Sequence, residues 1–140
     1  MAVEDLDIVG EWPTFQGKTL EQLIAQQSWF EGELDDEANV VWLQIGGEWH
    51  RLYFDSDAVY WTTASSGPRL PEGDADAPDF PLNDLGATHD LIGQAVTQVD
   101  GGWADHTSTV TLHFENGKSV AFHNRFDTTT VRLGETAPTT

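Results

Sequence analysis

Residues 31–37 read EGELDDE: Glu31, Glu33, Asp35, Asp36 and Glu37 place five carboxylates in seven positions, and a second acidic run, EGDADAPD, follows at 72–79. Carboxylates at this density can ligate a hard cation, serve as a paired acid and base, or steer a cationic partner. A calcium loop needs the pattern D-x-[DN]-x-[DN]-G. In DADAPD the third ligand position is Pro78, and neither the Gly nor the closing Glu is in place. Acid–base pairing carries no weight here, because 24 acidic residues in 140 supply pairs by composition alone. Steering of a basic partner is the chemistry that remains.

The five His fail as a zinc set. If a G1-bulge hairpin joins 109–114 to 118–124, His113 and His123 share a face but sit four residues apart along it. That is about 13 Å, too far for two bonds of ~2.1 Å to one metal. The chain has no Cys and no G-x-S-x-G, so thiolate ligands, thiol nucleophiles and the serine-elbow motif are absent from it. Nothing in the sequence calls for a cofactor, and the expectation is a protein that is not an enzyme.

The formal charge of −18, with only Lys18 and Lys118 among the lysines, repels nucleic acid and anionic membrane and speeds encounter with a basic protein. Adaptation to a salty cytoplasm would also produce an acidic, Lys-poor surface. Ten of the acids, however, fall in residues 1–40 and only seven in the last sixty. Solvent adaptation would spread them more evenly, so a partner is favoured. The N-terminus lacks a basic, then apolar, secretory pattern, and no apolar run reaches the ~20 residues of a membrane span. The expected location is the cytoplasm.

The elements that would position these groups read mainly as strands. VVWLQI and EWHRLYF flank Gly46-Gly47, a two-residue hairpin turn, and AVYWT returns after Asp55-Ser56-Asp57. This meander puts Val41, Leu43, Ile45, Leu52, Phe54, Val59 and Trp61 on one face. The other face carries Val40, Trp42, Trp49, Arg51, Tyr53 and Tyr60. A sheet apolar on both faces must cover both or use one for binding. Further strands are expected at 94–99, 108–114, 118–123 and 128–133. A Glu115-Asn116-Gly117 loop with Gly117 left-handed pairs Leu112 with Val120 and Val110 with Phe122, which keeps the apolar residues together. Thr19, with Gln22 as its capping-box partner and Leu20, Leu23 and Ile24 at helical spacing, predicts a helix over 19–28. Residues 64–84 read as a long acidic, Pro-rich loop and 134–140 as a flexible tail.

The expected fold is therefore a single α+β domain over 1–140, mainly antiparallel sheet built from hairpins and a meander, with one N-terminal helix packed on it. The expected partner surface is an aromatic centre, Trp42, Trp49, Tyr53 and Tyr60, ringed by Asp55, Asp57 and the carboxylates of 31–37. Such a surface suits an inhibitor of a basic protein: an immunity protein, an antitoxin, or a mimic of nucleic acid. The second reading is a β domain whose aromatic face lines a small-ligand pocket.

Overall fold

The structure is a computed structural model and describes residues 7–10, 15–55, 58–64, 82–126 and 128–135. In chain order the strands are β1 (Asp7–Gly10), β2 (Leu20–Phe30), β3 (Glu33–Ile45), β4 (Glu48–Asp55), β5 (Ala58–Ala64) and β6 (Leu82–Asp84). The single turn of helix α1 (Leu85–Thr88) follows, then β7 (Val96–Ala104), β8 (Thr107–Phe114), β9 (Lys118–Arg125) and β10 (Thr128–Glu135). They form a six-stranded sheet ordered β1-β5-β4-β3-β2-β6 and a four-stranded sheet ordered β10-β9-β8-β7. Every pairing is antiparallel except β1 with β5.

The meander forms as its alternation requires. Gly46 and Gly47 both have positive φ, +60° and +81°, which a two-residue hairpin turn between right-twisted strands demands. Leu52 pairs with Val41 on one side and with Trp61 on the other. Their shared face is shut away from solvent with Leu43, Ile45 and Val59. In the second sheet, Gly117 takes φ +86° and donates its N–H to the carbonyl of Phe114 at 3.0 Å. Val110 then meets Phe122 and Leu112 meets Val120. The two apolar faces join in one core, in which Val110, Leu112, Val120 and Phe122 are fully buried. Each side chain of this size contributes about 1.5–3 kcal/mol by leaving water.

The expected helix over 19–28 is not formed; Leu20–Phe30 is strand β2, paired with β3. The cause is a bulge. Leu20 faces Ile45 and Gln22 faces Gln44, so Glu21 is an extra residue with no partner of its own. The insertion lets Leu20 and Leu23, three apart, both point into the core. In one dimension this imitates the i, i+3 stripe of a helix. The architecture is accordingly mostly β, with one short helix among the described residues, rather than α+β.

At one corner the sheets join. Gly17 N–H donates to Val96 O at 2.8 Å, Val96 N–H to Lys18 O at 2.8 Å, and Leu20 N–H to Gln94 O at 2.9 Å. Phe15 caps the core nearby, its ring 4.7 Å from that of His50 and 5.7 Å from that of Trp61. Elsewhere β10 packs against β3. Within the second sheet a buried polar row, Ser108, Asn124 and Thr129, closes the end of the core, and Asn124 Nδ2 donates to Thr129 Oγ1 at 3.0 Å.

Candidate functional site

Because side chains alternate, the face of the six-stranded sheet that turns away from the core carries what the aliphatic face does not. One row across it runs Asp84, Ile24, Trp42, Arg51 and Thr62 on β6, β2, β3, β4 and β5. A neighbouring row holds Gln22, Gln44, Trp49 and Ala64, with a side-chain hydrogen bond of 3.1 Å from Gln22 to Gln44. On the other side Tyr53 pairs with Tyr60, their rings stacked at 4.7 Å and 6°. The Arg51 guanidinium lies 4.9 Å from the centre of the Tyr53 ring, so guanidinium and two phenols form one continuous stack. Trp42, Trp49, Tyr53 and Tyr60 are half-buried, and Arg51 is exposed.

The carboxylates expected around this centre separate into near and far. Asp55 ends β4 beside the tyrosine pair and is exposed. Glu31 and Glu33 are exposed at the tip of the β2–β3 hairpin, where Glu31 and Gly32 make the turn with φ of 51° and 81°. Asp35, Asp36 and Glu37 lie within β3, but their side chains fall outside the described residues, as does Asp57. Nine residues of β3 separate Glu33 from Trp42, but pairing irregularities absorb three of them: on β2, Phe30 opposite Glu33 is six residues from Ile24 opposite Trp42, about 20 Å. The hairpin tip therefore stands at one end of the aromatic rows as an acidic spur. The run at 72–79 lies outside the described residues.

Glu21 was not singled out by the sequence. Its Oε1 accepts the N–H of Gly47, tying the bulge of β2 to the β3–β4 turn. The only signal for it was a carboxylate placed to break an alternation. Of the histidines, His113 faces the same way as His123 but meets Asp100, Nε2 to Oδ2 at 2.8 Å, while His123 Nδ1 lies 3.3 Å from Thr109 Oγ1. His50 points to the core beside Phe15; burial holds its pKa below the usual histidine value, only partly offset by Glu48 at 3.9 Å. Among the described residues no three of His, Asp and Glu gather as a metal-ligand set.

A cleft of about 260 Å³ opens elsewhere, between the segment following α1, the start of β9 and the end of β10. Lys118 projects into it, with Nζ 3.2 Å from His89 O and 3.7 Å from Asp90 Oδ2. The aromatic rows take no part in that cleft. Among the described residues no helix is long and apolar enough to cross a membrane. An aromatic stack carrying one guanidinium offers flat apolar surface and a cation-π platform for association. No family model, curated protein or solved structure matches this chain.

Proposed function

We propose that the chain is a non-catalytic binding domain that captures a basic protein on the outward face of the six-stranded sheet and restrains it, as an immunity protein, an antitoxin or a mimic of nucleic acid would. The observation that carries this reading is the half-buried aromatic set Trp42, Trp49, Tyr53 and Tyr60 on a face turned away from the core. Aromatic anchors of this kind supply most of the energy of protein interfaces. The acidic spur and the net charge of −18 supply the second element, long-range attraction for a cationic partner. The small-ligand reading draws less support, because the described cleft lies away from these rings.

The test is capture from the source lysate on immobilised protein at ~20 mM and ~300 mM salt, followed by binding kinetics with whatever is retained. Recovery of a basic protein, released by salt, supports the proposal. Neutralising Glu31 and Glu33 to Gln then slows association, and Tyr53→Ala or Trp42→Ala speeds dissociation. An empty column at both salt concentrations, with the folded protein still on it, counts against the reading.

A further inference from the structure

The four-stranded sheet also has an outward face, and three of its strands carry a chemistry unlike the acidic remainder of the chain. Across β8, β9 and β10 the outward positions hold five threonines, two histidines, two arginines and no carboxylate, in a protein with 24 acidic residues; on the fourth strand, β7, Asp100 shares the face and is bonded to His113. The registers place Thr109, His123 and Thr130 side by side across three strands. Arg125 is two residues along β9 from His123, on the same face. Arg132 is two residues along β10 from Thr130 and faces Ala121, so the two arginines flank the His123–Thr130 row from opposite sides. Among the described residues neither arginine is in an ion pair, and Arg125 rests over the Phe126 ring at 5.3 Å. The contact between Thr109 Oγ1 and His123 Nδ1 orients the imidazole. A group seated on the His123–Thr130 row would lie about two residues, roughly 7 Å along the strands, from each arginine's position.

We infer that this patch is a binding site for a tetrahedral oxyanion, a phosphate or sulfate group, held between Arg125 and Arg132 with help from the Thr130 hydroxyl and the His123 ring. Planar guanidinium forks offer paired donors to such oxygens, and a hydroxyl and an imidazole N–H complete a tetrahedral shell. The strands fix the backbone beneath these groups, so the site needs only side-chain adjustment to close on its ligand. It stands on a different sheet from the proposed partner face, and its failure would leave that reading untouched.

The experiment is a titration of the intact protein with sodium phosphate, followed by two-dimensional NMR, with sodium chloride at matched ionic strength and pH as the reference. The expected result is saturable shifts of the His123 ring protons and of the Thr109, Thr130 and Arg132 amides, which chloride does not reproduce. Arg125→Gln and Arg132→Gln are each expected to weaken binding about tenfold or more. Arg51→Gln, the same charge change on the other sheet, should leave it unchanged. Titration with O-phosphoserine separates the sources: tighter saturation than by inorganic phosphate supports a phosphate ester as ligand, and the reverse supports the free ion. Shifts that never saturate, that chloride reproduces, or that persist undiminished in both arginine variants overturn the site.

Discussion

Single positions in this chain carry conformations and environments that substitution can report. Gly117 at φ +86° is one, since a β-branched side chain resists the left-handed region. Gly117→Val is expected to cost about 1–3 kcal/mol in urea unfolding and Gly117→Asn clearly less. Equal, negligible effects would mean that the β8–β9 turn is not held as described. His50 is another. Its folded pKa lies below the ordinary value of 6.5, chiefly through burial. The neutral ring is thus the form the fold prefers, and its contribution is whole above pH 6.5 and lost as pH falls through the lowered folded value. Wild type and His50→Gln should therefore differ more in Tm at pH 7.5 than at pH 5, and a constant gap between them would contradict this.

At the scale of elements, what was legible in the sequence followed from clean alternation. Val41, Leu43 and Ile45 against Leu52 and Val59 announced their sheet, and the apolar pairs Val110–Phe122 and Leu112–Val120 fixed the second register by elimination. What was not legible lay where an irregularity broke the period. The bulge at Glu21 turned a strand into an apparent helical stripe, and the acidic start of β3, ELDDE, hid a strand in residues with poor strand propensity. The aromatic members of the candidate site could be assigned to one face in advance. The distance of Glu31 and Glu33 from them could not, because it depends on where β3 begins. Substitution separates the two descriptions of 20–28. A helix would bury Leu20, Leu23 and Ile24 together, whereas the strand buries the two leucines and turns Ile24 outward. Leu23→Ala is expected to lose about 2–5 kcal/mol and Ile24→Ala under about 1.5 kcal/mol, read from chemical denaturation. Comparable losses at both positions would favour the helix.

For the whole molecule, the dominant fact is a charge of −18 on a small two-sheet body. Lys118 lies 3.7 Å from Asp90, while the neighbours of Glu48 and Asp100 are the histidines His50 and His113, which pair as ions only when protonated. With 24 acids against six Lys and Arg, most carboxylates have no cation to pair with, and their repulsion is least screened at low ionic strength. Tm is expected to rise continuously from ~10 mM to ~1 M NaCl. A flat or falling curve would show that the carboxylates are too far apart to matter. The distribution of charge has a second meaning at this scale. The acidic spur and the arginine-bearing strands β9 and β10 belong to different sheets, so the proposed capture of a cation-rich surface and the proposed anion site would not compete.

The corner where Thr19 bridges Ala95 joins residues 76 positions apart, and this bears on how the chain reaches its shape. The six-stranded sheet is nearly complete in sequence by Ala64, yet its aliphatic face has no cover until β8 and β9 have been made. Productive collapse must wait for a long loop to close, and folding dominated by such distant pairings is slow, on the order of milliseconds to seconds. During synthesis the first half would emerge with Leu43, Leu52, Val59 and Trp61 unsheltered. The same acidic charge that destabilises the finished molecule would then keep neighbouring nascent chains apart.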